Sequence, residues 1–221
     1  MKVLAEKWKI NPPVLQEMED AYGLTMLVED AISDGEDLRS KHFVDEQLDF
    51  VDGQALDIVG CVFERCTFGE MDLKRISFVD CVFEKCEWSN VRLASVTFQR
   101  VKFVNCRMTG LEFLRGVLMN AAFEGCMMDY ISLSETRLDR AVFSHCRMRE
   151  SLWSEVRMPK IRFESCDTTK AQWMRTPLTG IDLSSCIIEG WTISLFDLRG
   201  VKLTSAQVIS LSGLLGVEIV D

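Results

Sequence analysis

Histidine is almost missing from this chain: His42 and His145 are the only two in 221 residues. Histidine is the usual general base at neutral pH and a frequent zinc ligand, so both chemistries are poorly supplied. No G-x-G-x-x-G, G-x-x-x-x-G-K-[ST] or H-E-x-x-H segment occurs, which removes the common phosphate cradles and the metalloprotease helix. Glu64 and Glu84 are the nearest approach to a carboxylate pair, but Arg65 and Lys85 flank them and make solvated ion pairs the better reading. No run approaches the ~20 apolar residues of a membrane span. The opening MKVLAEKWKI lacks the apolar core of a secretory signal. These absences predict a cytoplasmic protein that is not an enzyme, with no catalytic residue, no cofactor, no metal and no membrane contact.

What is present is a period of five. From Ile58 to Val208 every fifth residue is apolar except Thr168, passing through Phe63, Phe68, Leu73, Phe78, Phe83 and Trp88. Two residues before each of these centres runs a second register from Leu56 to Ala206 that contains no charged residue and no side-chain amide. All 38 charged residues between Ile58 and Val208 fall in the other three registers. Neither a helix nor a plain strand brings every fifth residue to one face. A coil that turns a corner every five residues does, with two inward residues per side spaced as strand geometry requires.

Four sides close a coil of 20 residues, and two columns of identical residues support that number. Phe43, Phe63, Phe83, Phe103, Phe123, Phe143 and Phe163 follow one another at intervals of 20, and so do Cys66, Cys86, Cys106, Cys126, Cys146, Cys166 and Cys186. Such a repeat buries its core by stacking coil on coil. The predicted fold is therefore an all-β, four-sided parallel solenoid of about eight coils over residues 38–203.

All nine cysteines stand in the inward small-residue register, with no C-x-x-C pair. Free cysteine packs as a small hydrophobe, and an odd number without a secretory signal favours reduced thiols. The net charge of −9 is uneven: residues 1–58 hold 5 basic and 14 acidic side chains, whereas the coils after them are close to neutral. The Phe78 side carries Arg100, Arg137, Arg140, Arg157, Lys160 and Arg199. Without an aromatic platform beside them these read as a solvated face, not a nucleic-acid track.

The ends leave the period. Residues 1–37 are predicted to form an acidic, partly helical cap. One helix is expected from Asn11-Pro12-Pro13, with Val14, Leu15, Met18 and Tyr22 as its apolar stripe and Gly23 as its stop, and a second over 26–32. Residues 38–57 form an imperfect first coil, with Lys41 and Glu46 in inward slots, Gly53 at a centre, and Phe50 and Val51 compensating. Met158 and the tryptophan centres are expected in the core; Trp191 and Phe196 enlarge the inward slot near the end. Over 204–221, Thr204 or Ser205 caps a short helix that presents Val208, Leu211, Leu214 and Leu215, Gly216 ends it, and 217–220 is a terminal strand.

The sides CVFER, CTFGE, MDLKR, CVFEK, VRLAS and AVFSH resemble the A(D/N)LXX pattern of pentapeptide-repeat proteins across residues 38–208. The chain departs from that pattern by using Cys in the small slot and Phe at the centre. The resemblance implies a right-handed β-helix. The ending FDLRGVKLTSAQVISLSGLLGVEIVD resembles the quinolone-resistance (Qnr-like) branch, and that implies a homodimer through Val208, Leu211, Leu214 and Leu215. It further implies a type II topoisomerase partner, bound as a duplex-shaped mimic, with protection from quinolones. The alternative is an interaction scaffold with no topoisomerase activity. Direct nucleic-acid binding is not expected.

Overall fold

The computed structural model describes residues 8–216, apart from the side chain of Leu215; the strand expected over 217–220 lies outside the described residues. The body is a parallel β-solenoid of about nine turns, on the order of 40 Å long at the usual ~4.8 Å between coils. Pairing is parallel and in register at a spacing of 20, with Phe63 opposite Phe83 and Phe103 opposite Phe123. The Phe43-to-Phe163 column thereby becomes a ring stack, with successive centroids 4.6 to 5.4 Å apart. Fully burying a phenylalanine contributes about 1.5–3 kcal/mol, and offset stacking adds about 0.5–1.5. Trp88 lies flat on Phe68 at 3.8 Å and edge-on to Phe83 at 5.4 Å, which ties two sides of one coil together.

The corners are made by backbone. At 20 non-glycine positions from Ser40 to Arg175, φ lies between 48 and 60°, the left-handed region that costs an L-residue about 1–2 kcal/mol. Hydrogen bonds between coils offset that cost: the corner N–H groups of Arg65, Lys85 and His145 donate to the carbonyls of Glu84, Val104 and Glu164, each at 2.8 Å. Strands Val51–Val59 and Met71–Val79 instead run through without a left-handed corner.

All nine cysteines are free and buried. Each ladder thiol from Cys66 to Cys166 shares its proton with backbone; Cys86 Sγ, for example, donates to Phe63 O at 3.3 Å and Glu84 O at 3.5 Å. Burial pushes the Cys61 thiol up to about 11, so it stays protonated near neutral pH.

The N-terminal end departs from expectation. No helix forms over 11–22. Residues 8–18 have no regular structure, Glu19–Ala21 is a strand paired with Lys41–Phe43, and helix α1 spans Leu24–Asp34. Gly23, expected as a helix stop, is instead the N-cap of α1, in the left-handed conformation. Segment 8–18 gains more from polar partners far along the chain than from a solvated helix, which no neighbour would bury.

The imperfect first coil is completed by α1. The Glu46 carboxylate accepts the N–H groups of Gly23 and Leu24 at 3.0 and 3.1 Å, where a helix N-terminus favours an anion. A Cβ on Gly53 would lie 2.6 Å from Ile32 Cγ2, so the helix supplies the side chain that this centre lacks. Val51 is buried in register opposite Met71, while Phe50 is exposed and compensates for nothing.

Two further expectations are corrected. Met158 is only half-buried, because the register slips between Arg157 and Lys160 around Pro159, which has no N–H for the ladder. Trp191 is buried as expected, with its ring N–H on Thr168 O and Oγ1, whereas Phe196 is exposed. Beside Phe196 the chain turns on Ser194 and Asp197, whose side chains are 2.7 Å apart, and Asp197 takes the inward place. Helix α2, Ser205–Ser210, begins with the reciprocal capping of Thr204 and Gln207, and a 3₁₀ turn over Ser212–Leu215 follows.

Candidate functional site

With the interior filled by stacked rings and thiols, the chemistry available to a partner lies on the sides and ends of the rod. His145 is an exposed corner residue, and His42 pairs with Asp20 at 2.9 Å. Among the described residues no three His, Cys, Asp or Glu side chains converge as a metal site, and no helix is long and apolar enough to cross a membrane.

The C-terminal end carries the predicted dimer residues. Leu211 turns into the last coil and is buried, Leu214 packs partly against the core, and Val208 is 53% exposed. Leu195, Phe196 and Ile209, which were not singled out as interface residues, are also exposed there, and a cavity of about 280 Å³ opens beside Leu195 and Val208. The structure thus brings Val208 and Leu211 to one apolar surface but points only Val208 outward. Phe196 was hidden from sequence reading by its position in an apolar register, whereas Leu195 and Ile209 stand in outward registers, and an apolar residue there is itself a signal of an exposed apolar surface.

The Phe78 side differs from the other three. Between residues 60 and 175, Lys and Arg mostly hold a carboxylate within 4.0 Å, as in Arg65–Asp45, Arg92–Glu112, Lys102–Glu124 and Arg149–Asp167. The cations without one among the described residues are Lys74, Arg115, Arg140, Arg157 and Lys160. All but Lys74 stand on the Phe78 side or its two corners.

Along one of those corners, where the Leu73 side turns into the Phe78 side, runs a groove of about 870 Å³. Four coils contribute Arg115, Glu135, Glu155 and Arg175 at the corner, and Val117, Arg137, Arg157 and Pro177 just beyond it.

The opposite corner of the same side holds the N-terminal arm. Trp8 lies under the Arg162 guanidinium at 5.1 Å, Asn11 N–H donates to Asn120 Oδ1 at 3.2 Å, and Val14 N–H donates to Asp80 Oδ1 at 2.9 Å. Asp80 also takes two hydrogen bonds of 2.6 Å from Arg100, and these, with the Val14 N–H, hold its carboxyl below the usual carboxylate range.

A pentapeptide-repeat-region family model matches residues 56–115 and 96–173, together more than half of the chain. This chain belongs to the pentapeptide-repeat family. Among solved structures, the pentapeptide-repeat protein HetL of the cyanobacterium Nostoc, involved in heterocyst differentiation regulation, is 12% identical with a TM-score of 0.50. That match covers 75% of this chain and 86% of HetL. Full-length QnrB1, a plasmid-mediated fluoroquinolone resistance protein, is 16% identical with a TM-score of 0.35, over 77% of this chain and 99% of QnrB1. Rfr23 of the cyanobacterium Cyanothece is 10% identical with a TM-score of 0.22, over 74% of this chain and 91% of Rfr23. No curated protein sequence matches this pentapeptide-repeat protein. At 12% identity the likeness to HetL speaks for the fold alone.

Proposed function

We propose that this pentapeptide-repeat protein acts by binding and not by chemistry, as a rigid rod that offers its sides to a protein partner. The observation that carries this reading is the division of the chain into an apolar, fully stacked interior and outward registers that hold the charge. In this reading two copies meet through the apolar C-terminal end, where Val208, Ile209 and Phe196 are exposed. The nine reduced thiols suit a cytoplasmic setting.

A more specific reading, favoured by the ending that begins FDLRGVKL, makes the partner a type II topoisomerase bound in place of duplex DNA. The near-neutral body with its unpaired arginines weighs for the scaffold reading instead. Titration of the purified protein into a gyrase supercoiling assay, with and without a fluoroquinolone and at two salt concentrations, separates the two. Rescue or inhibition at micromolar protein supports the topoisomerase partner; no effect at far higher concentration leaves the scaffold.

A further inference from the structure

The groove between the Leu73 and Phe78 sides has a specific chemistry. We propose that it binds an extended acidic peptide segment with carboxylates at positions i and i+3, which meet Arg115 and Arg157. The inference rests on the binding-rod reading but is independent of the partner's identity.

Three observations carry it. Among the described residues Arg115 and Arg157 are the groove's two guanidinium groups without an acidic partner, whereas Arg175 holds Glu155 and Arg137 lies 3.6 Å from Asp139. Arg137 and Arg157 face each other directly in the parallel ladder. Like charges so placed oppose the fold, and an anion lying between them relieves that repulsion. The third observation is a ruler supplied by the molecule. On the far corner of the same side, Trp8, Asn11 and Val14 of the N-terminal arm meet Arg162, Asn120 and Asp80. Every third residue of an extended chain thus meets every second coil. The lengths agree: three extended residues span about 10 Å, and two coils about 9.6 Å. Arg115 and Arg157 belong to coils two apart.

A peptide fits this groove better than a nucleic-acid strand. Glu135 and Glu155 lie in its wall, where they disfavour a strand charged at every phosphate more than a peptide whose carboxylates are three residues apart, and they can accept that peptide's backbone N–H donors. Val117 and Pro177 give it apolar margins, and its lining has no aromatic ring on which a base would stack.

The test uses the full chain and a fluorescein-labelled peptide of alternating Pro and Ala with Glu at i, i+3 and i+6, read by anisotropy at low and physiological salt. A peptide of equal composition with adjacent glutamates, and one with Gln for Glu, are expected to bind at least several-fold more weakly. Arg157→Gln and Arg115→Gln are each expected to weaken binding about tenfold, the scale of one charge-assisted hydrogen bond. Arg92→Gln, on the Leu73 side, is expected to leave it unchanged. Both groove residues are surface side chains, and equal melting temperatures of the variants verify that folding is intact. Equal binding of the two glutamate spacings overturns the proposal, as does indifference to both groove substitutions. Tighter, arginine-dependent binding of a single-stranded oligonucleotide of equal charge also overturns it and makes the groove a general polyanion track. Any of these results leaves the rod reading standing, because that reading does not require this groove.

Discussion

The two ends of this rod solve the same problem in different ways. A solenoid presents an unpaired coil at each end, a template for unwanted association. At the N-terminal end the chain closes that coil itself: Glu19–Ala21 adds a strand, α1 packs Leu24 and Val28 into the core, and Ile32 enters the place left by Gly53. Polar groups are matched there, as Glu46 at the start of α1 shows, although Tyr22, Met26 and Phe50 stay exposed. At the C-terminal end, α2 and its 3₁₀ turn bury Leu211 but leave Val208, Ile209, Leu195 and Phe196 exposed. The difference teaches that a cap is built by fitting a missing side chain: Ile32 fills the place at Gly53, whereas the C-terminal end leaves an open apolar cavity beside Leu195 and Val208.

That contrast breaks most sharply at Gly53. A Gly53→Leu change forces a branched side chain into the space of Ile32 and is expected to destabilise the protein by about 2–3 kcal/mol in urea unfolding. Adding Ile32→Ala is expected to return part of the loss. A neutral Gly53→Leu would mean that the cap does not close by fit.

The next effect concerns the opposite end. In sedimentation, Val208→Asp with Ile209→Asp is expected to weaken self-association at least tenfold, worth about 1.4 kcal/mol, while leaving the thermal midpoint nearly unchanged. A wild-type protein that is monomeric at all concentrations would remove the proposed role of this surface.

The smallest effect lies at Asp80, which ties the arm to the rod. Its carboxyl is held below its ordinary value by the Arg100 hydrogen bonds, so its contribution is present above about pH 4 and is lost as pH falls through the lower folded value. Asp80→Asn is expected to cost about 1 kcal/mol at neutral pH, and the gap from wild type should close in acid. It should also quicken tryptic cleavage after Lys9, since Val14 N–H loses its charged acceptor. An unchanged cleavage rate would separate the arm from Asp80.

The coils were legible in the sequence because their rule is local and repeated. Phe63, Phe83 and Phe103 occupy equivalent places, and the inward residues are apolar or small and uncharged whatever their partners. The candidate site was legible only as composition. The arginines of the Phe78 side could be counted, but which of them lack a carboxylate depends on rotamers and on neighbours 18 to 20 residues away, as in Arg75–Asp57 and Arg92–Glu112. The arm was misread as helix because Asn11-Pro12-Pro13 is a sound local start signal. Its acceptors, Asn120 and Asp80, stand 109 and 66 residues away.

By itself, then, the sequence determined the period, the four sides, the two ladders and the filling of the interior, since a five-residue rule repeated without insertion permits one way of stacking. The tertiary structure decided the rest: the path of the arm, the plug of Ile32 into Gly53, the slip at Pro159 and the groove of unpaired arginines. These are fits between surfaces distant along the chain, and the free energy that selects them exists only once the coils are stacked.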